Sequence, residues 1–295
     1  MYDVIVIGGG PAGLTAALYS LRAEKRVLVL EGNGFGGQIV YAQTVDNFPG
    51  VPNMNGAAFA EKLLEQVMAA GGDVEFENVT KVIDGEEKTV ITDYHEYKAK
   101  SVIIATGVKH RHLGVEGEEE HIGKGVSFCA VCDGAFFRGR SVAVVGGGNT
   151  AVEDAIYLAD MAEKVYLIHR RDEFRAENAV VNALHEKKNV ELVLNSVVSK
   201  INGDEFVNGI EVLNVNTQEK REIKISGVFV AIGQIPQNEI FRGIVDLDSD
   251  GYVIAGEDCK TSAKGIFTAG DCRTKSIRQL TTAVGDGTVA ALNTL

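Results

Sequence analysis

An α/β fold is predicted for this chain, built as two three-layer, Rossmann-like units with the second inserted in the first. Three observations predict it. A β-branched run, a glycine turn and an apolar helical repeat follow one another over 3–21 and again over 141–161. A further strand pattern, Gly265–Cys272, lies near the end, where it completes the first sheet. Finally, 295 residues with 45% hydrophobic and 24% charged side chains suffice for two cores, and 34 glycines against 4 prolines point to many tight backbone approaches.

The first element is the strand Asp3–Gly8 (DVIVIG). The turn Gly8-Gly9-Gly10-Pro11-Ala12-Gly13 fits the G-x-G-x-x-G fingerprint. Gly8 permits the tight turn, Gly10 lets a pyrophosphate reach the backbone, and Gly13 lets helix and strand pack closely. Leu14, Ala17, Leu18 and Leu21 carry the helix, whose first N–H groups face the phosphates. The next strand, Arg26–Leu30, ends in Glu31, where a carboxylate binds ribose hydroxyls. This unit reads as a site for FAD or NAD. Val74–Thr92 alternates apolar and polar residues around Asp84-Gly85, as a small antiparallel layer would. Lys100–Gly107 (KSVIIATG) is a buried strand ending in small residues.

The second unit opens with Ser141–Gly146 (SVAVVG), the turn Gly146-Gly147-Gly148-Asn149-Thr150-Ala151 and the helical run AVEDAIYLADM. Its next strand, Lys164–Ile168, ends in His169-Arg170-Arg171, with Arg175 close behind. A guanidinium cluster in place of the acid suits a 2′-phosphate and therefore NADPH. The plainer reading of HRRDEFR is a solvated basic turn. Val197–Ile225 reads as a second antiparallel cover, and Arg278–Leu292 as the closing helix of the first unit. Breaker-rich stretches at Gly114–Glu120 and Gly233–Asn238 are the crossing points, which divides the chain into 1–112 with 242–295, and 113–241. The acid run Glu116–Glu120 is read as a solvated loop.

A net charge of −12 disfavours nucleic acid as a partner. No apolar run nears the roughly 18 residues of a membrane span, and no basic leader precedes the strand at Tyr2, so no membrane partner is expected and the protein reads as cytoplasmic. Four cysteines are too few for a stapled secreted scaffold. Two of them sit in Ser127–Phe137 (SFCAVCDGAFF). Locally, such a pair is half a zinc site, a redox disulfide, or two small buried residues. Cys259 and Cys272 do not form a second close pair and no H-x-x-x-H occurs, so no metal is assigned.

These motifs, in order, resemble the low-molecular-weight thioredoxin reductases of the pyridine nucleotide disulfide oxidoreductase group. The resemblance spans nearly the whole chain. It rests on GGGPAG, GGQ at Gly36–Gln38, NFPG at Asn47–Gly50, ATG at Ala105–Gly107, CAVCDG at Cys129–Gly134, GGGNTA, HRRDEFR, VAIG at Val230–Gly233, AGD at Ala269–Asp271, and Arg278-Gln279. The resemblance implies FAD on the first unit and NADPH on the second. It places FAD along Gly8, Gly10, Pro11, Ala12, Gly13, Glu31, Gly36, Gly37, Gln38, Asn47, Val79, Ala105, Thr106, Gly107, Gly270, Asp271, Arg278, Gln279 and Leu280, with Asp271 on the ribityl chain. NADPH falls on Gly146, Gly148, Asn149, Thr150, Ala151, His169, Arg170, Arg171, Arg175 and Gly233. Cys272 and the run Leu280–Asp286 (LTTAVGD) depart from the ITSAG-like pattern at the flavin rim.

In that frame Cys129 and Cys132 are the redox disulfide, fed through FAD and passing electrons to thioredoxin by thiol exchange, and the family implies a homodimer. Asp133 is the acid/base candidate, with an N-cap role equally open. Both NADPH and the disulfide must reach the flavin, so the inserted unit is expected to rotate about the crossing segments. Rival readings are reduction of a glutaredoxin-like or peroxiredoxin-reducing protein, a ferredoxin-NADP reductase, and a non-enzymatic redox sensor. Cys259 and Cys272 are expected to be small buried residues. Phe136 and Phe137 are read as packing beneath the redox turn, with partner contact as the lesser alternative, and His110, His112 and His121 as unassigned exposed or linker histidines.

Overall fold

A computed structural model describes all residues, Met1–Leu295. The chain forms two compact units, Met1–Lys109 with Ile235–Leu295, and His110–Gln234.

In the first unit β1 (Tyr2–Ile7) runs through the glycine turn into α1 (Pro11–Arg22) and returns as β2 (Val27–Leu30). Gly8 sits at φ +113°, where a Cβ would lie 2.2 Å from the Ala105 carbonyl oxygen, and a Cβ on Gly13 would lie 1.9 Å from that of Gly8. A side chain on Gly8 would strike the Ala105 backbone, and one on Gly13 would force the helix off the strand. Then come α2 (Gly56–Ala69), β3 (Asp73–Glu75), β4 (Val79–Ile83), β5 (Lys88–Thr92), β6 (Glu96–Ile104) and β7 (Val108–His110). Alternate residues of β1 face opposite cores. Val4 and Val6 pack with Leu14, Ala17 and Ala290, whereas Ile5 and Ile7 pack with Leu28, Ile104 and Phe241. Burial on both faces is why these strands read as continuous apolar runs.

The sheet order is β3-β2-β1-β6-β5-β4, with a later strand also on β6. The 74–92 segment does not form a separate layer as expected. β6 is nine residues long and takes two partners along one edge: its first half pairs antiparallel with β5, and its second half pairs parallel with β17 (Ile266–Thr268).

The second unit contains β8 (Val126–Ser127), α3 (Ala130–Asp133), β9 (Ser141–Val145), α4 (Asn149–Ala159), β10 (Lys164–Ile168), α5 (Asn178–His185), β11 (Val190–Val193), β12 (Ser196–Gly203), β13 (Val207–Asn214), β14 (Lys220–Ile223), β15 (Gly227–Val230) and β16 (Gln234–Pro236), the last of which reaches into the return to the first unit. Its parallel sheet has the order β11-β10-β9-β15-β8. Val142 and Val144 of β9 pack on the α4 side, against Val152 and Leu158. Ala143 and Val145 face the antiparallel sheet β12-β13-β14, as the alternation there predicts. The acid run is not simply solvated. Glu118 is 1% exposed, and its carboxylate accepts from the backbone N–H groups of Leu113 and Gly114 at 2.8 and 2.7 Å. Two oriented N–H donors offset the cost of burying that charge. The closing helix, α6 (Leu280–Asn293), begins two residues later than expected because Gln279 and Thr282 form a capping box.

Candidate functional site

Cys129 and Cys132 are joined in a disulfide, with Cα atoms 5.3 Å apart. A single helical turn, α3, brings the sulfurs together. Cys129 is its N-cap, and its sulfur accepts from the Cys132 N–H at 3.2 Å. That donor would favour negative charge on the Cys129 sulfur once the bond is reduced. Asp133 does stand at the N-cap position of the next short turn, Gly134–Phe137, but its side chain makes no capping hydrogen bond there; Cys129 caps α3.

Asp133 instead accepts at 2.5 Å from the hydroxyl of Ser127, which in turn accepts from the Cys129 N–H at 3.1 Å. Ser127 thus links the carboxylate to the redox turn. Nothing in the sequence marked it beyond a hydroxyl at a strand end. Burial pushes the Asp133 carboxyl above the ordinary carboxylate range, and the Ser127 hydrogen bond only partly opposes this. Keeping Asp133 ionised therefore costs stability, and the cost grows as pH rises through its folded value. Asp133→Asn is expected to melt higher than the wild type at pH 7 to 8. The difference should vanish below about pH 4, where Asp133 is protonated both folded and unfolded. The same variant should slow thiol exchange on the order of 100-fold. Melting curves between pH 3 and 8, with rates in parallel, check both.

Around the turn, Phe137 is buried and meets Phe229 edge-to-face at 5.4 Å, but Phe136 is 47% exposed. The histidines are not simple surface residues either. His110 stacks on Phe128, next to Cys129, at 4.7 Å, and His112 lies 5.1 Å from the same ring. Burial, with the nearby charge of His112, pushes His110 down to about 4. His121 is buried and bonds the Gly117 carbonyl.

In the same unit, α4 starts at the second glycine turn with Gly148 as N-cap and no side chain capping it. A Cβ on Gly148 would meet nothing within 4 Å, so the approach to these N–H groups is open. Asn149 instead pairs with Glu177, Thr150 is exposed and Ala151 buried. His169 lies over the turn, its ring 2.1 Å from where a Gly147 Cβ would be, and it stacks on Phe174. The Arg175 N–H donates to the Gly147 carbonyl at 2.7 Å. This brings the arginine run to the glycine turn. Arg170, Arg171 and Arg175 are all exposed, and none forms an ion pair. Gly233, at φ +107°, accepts from the Arg111 N–H at 3.0 Å.

In the first unit, α1 has Gly10 as N-cap and Pro11 at its first position, again without a side-chain cap. A Cβ on Gly10 would meet only the Gly37 Cα, at 3.9 Å. Glu31 is held beside this turn, one oxygen accepting from Gly9 and the other from Asn33, both at 2.7 Å. The loop Gly36–Gln38 is tied in by the Gly36 N–H on the Gly9 carbonyl. Asn47 reaches Gln279 at 3.3 Å, just before Leu280 opens α6. Val79, by contrast, starts β4 and packs on the second core. Asn238 was missed: it bonds Thr106 at 2.8 Å and the Cys272 carbonyl at 2.8 Å, so one buried amide joins the Ala105–Gly107 turn to the Gly270–Cys272 turn. Cys259 and Cys272 are free and buried, as expected.

Asp271 presents an unused acceptor to a ligand. Its Oδ1 is buried and has no hydrogen-bond partner, and burial pushes its carboxyl up while the neighbouring Lys275 and Arg278 pull it down. Such an atom wants a donor. A hydroxyl-bearing chain laid past the open Gly10 turn would supply one, so the residues present fit a flavin dinucleotide. Arg278 braces the same turn by donating to the Asp271 carbonyl at 3.3 Å, with its guanidinium 4.2 Å over the Tyr252 ring.

Adjacent cysteines held in a disulfide on an α/β unit place the protein among the oxidoreductases. More particularly, the chain belongs to the pyridine nucleotide-disulphide oxidoreductase family, whose model matches residues 2–287. It is 42% identical to thioredoxin reductase from Listeria monocytogenes over 295 residues, 99% of this chain and 92% of that one. It is 44% identical over 292 residues to a 34.2 kDa protein in the rubredoxin operon of Clostridium pasteurianum, covering 98% and 95%. The crystal structure of thioredoxin reductase from Streptococcus pyogenes aligns with a TM-score of 0.96 at 41% identity, covering 100% and 97%.

Proposed function

We propose that this protein is an NADPH-dependent, FAD-containing reductase of thioredoxin, with Cys129 and Cys132 as the redox pair. The Cys129–Cys132 disulfide, carried on the same unit as a glycine turn with a free arginine cluster, supports this most. Gly146, Gly148 and the α4 N-terminus would hold the pyrophosphate of NADPH, and Arg170, Arg171 and Arg175 its 2′-phosphate. Gly8, Gly10, Pro11, Ala12 and Gly13 would hold the pyrophosphate of FAD, Glu31 its ribose, and Asp271 its polyol chain. When bound, NADPH supplies a hydride and FAD relays the electron pair to sulfur.

The chain's own chemistry is sulfur exchange. Two electrons and a proton convert the Cys129–Cys132 disulfide into one thiolate and one thiol. The thiolate attacks a sulfur of the partner's disulfide, making a mixed disulfide and releasing the partner's other sulfur as thiolate, which takes up a proton. The remaining cysteine, after losing its proton, attacks the mixed bond. This frees the partner as a dithiol and restores the Cys129–Cys132 bond. Asp133 would hold that proton between steps, and its hydrogen bond from Ser127, which also accepts from the Cys129 N–H, supports this role.

A cytoplasmic location and a homodimeric state complete the reading. The first is supported by two free buried thiols and the few cysteines of the chain, the second by the family alone. No helix is long and apolar enough to cross a membrane.

The test is stoichiometric. The purified protein should be yellow, and anaerobic titration with NADPH should deliver four electrons per chain, two to the flavin and two to the disulfide. Uptake of only two by fully loaded protein would overturn the assignment.

A further inference from the structure

α6 carries a charge where a helix facing a core normally has none. Asp286 is 7% exposed, and the next residue packs so tightly that a Cβ on Gly287 would lie 2.3 Å from the Ala12 carbonyl oxygen of α1. The Asp286 carboxylate accepts four hydrogen bonds. They come from the Gly270 N–H at 3.0 Å, Arg273 Nε at 2.9 Å, Arg273 Nη2 at 2.8 Å and Lys275 Nζ at 2.8 Å. All four donors lie on the loop between β17 and α6. One side chain therefore pins the first half of that loop, from Gly270 to Lys275. Gly270 adds a steric limit: it sits at φ +83°, and a Cβ there would come 2.8 Å from that of Ala12.

Inside this pinned loop lies Asp271, whose Oδ1 is buried with no partner. The charges around it do not cancel. Arg273 and Lys275, with side chains 3% and 6% exposed, share the single carboxylate of Asp286, which leaves one buried positive charge in surplus. Glu257 approaches Arg273 at 3.7 Å but is 98% exposed, so water screens it. A surplus buried cation is costly unless an anion nearby uses it, and Asp271, which Lys275 and Arg278 both draw toward its charged form against burial, is the anion at hand. We infer that Asp286, Arg273 and Lys275 are positioning residues for the flavin site. They fix the Gly270–Asp271 turn and set the Lys275 cation beside it, which leaves the buried Asp271 Oδ1 to accept from a hydroxyl of the flavin's polyol chain. This rests on the FAD reading above, and it gives the LTTAVGD run a role that its departure from the family pattern left open.

FAD binding to apoprotein, followed by quenching of flavin fluorescence, tests it in the full chain. Lys275→Met is the informative variant, because the Arg273–Asp286 pair stays intact and balanced and the fold is not at stake. We expect it to bind FAD about tenfold more weakly, with the melting temperature of the apoprotein unchanged. Asp286→Asn, which leaves two unbalanced cations, should lose on the order of 100-fold. If the cluster acts through Asp271, then Lys275→Met should cost little more in an Asp271→Asn background, whereas a merely structural effect would add in full. Wild-type affinity in Lys275→Met, or full additivity, overturns the inference while leaving the FAD reading intact. A wild-type apoprotein that takes up no FAD overturns that reading and the inference with it.

Discussion

Replacing Cys129 or Cys132 by serine is expected to remove more than about 99.9% of turnover with a disulfide protein, because serine can form neither the bridge nor the mixed bond with the partner. Loss of fold would not explain the result. The bridge spans a sequence separation of only 3, and the stabilisation a disulfide gives grows with the loop it closes, so melting should change little. The other two cysteines supply the control. The Cys259 thiol is pushed up to about 12, chiefly by burial, and at neutral pH it stays a protonated, inert thiol. Cys259→Ala should keep its turnover. Anaerobic electron counting adds a second signature: each serine variant, loaded with flavin, should accept two electrons where the wild type accepts four. A serine variant that still reduced its partner at a tenth of the normal rate would show that electrons leave by another route.

The architecture and its two glycine turns were legible in the sequence for a physical reason. Strands buried on both faces must be apolar throughout, as in Val4 to Ile7 and Val142 to Val145, and turns that admit no Cβ must be glycine. Such requirements act on adjacent residues and leave a local pattern. The polar groups that brace the sites left none. Ser127 matters through one hydroxyl placed against Asp133 by a helical turn. Asn238 matters through carbonyls and a hydroxyl far along the chain. Asp286 looked like one more acid in an acidic protein until the fold set it against Arg273 and Lys275. Glu118 was misread for the same reason, since two backbone N–H groups turned a member of an acid run into a buried acceptor. The β4–β5 hairpin joined the main sheet because β6 is long enough for two neighbours, which alternation alone does not reveal.

The arginine cluster carries the second large effect. Arg170, Arg171 and Arg175 are exposed, free of acidic partners, and anchored to the glycine turn through the Arg175 backbone and the His169 ring. Three cations placed without counter-ions repel one another, an arrangement whose cost a bound dianion relieves. In Arg170→Ala/Arg171→Ala, kcat/KM for NADPH should fall on the order of 100-fold, as expected when charge-assisted hydrogen bonds to a phosphate are lost. For NADH, which has no 2′-phosphate, it should change little. The loss should also appear almost wholly in KM. The 2′-phosphate is remote from the atoms that react, so its binding energy is the same in the ground state and the transition state, and removing it leaves kcat nearly untouched. Salt offers an independent check: wild-type KM for NADPH should rise with ionic strength more steeply than that of the double variant, because the screened attraction is the one deleted. Initial rates with both coenzymes at two salt concentrations decide the matter. Equal losses for NADPH and NADH would mean that the substitutions had damaged the turn itself, and the cluster would then be a solvated basic loop with no part in choosing the coenzyme.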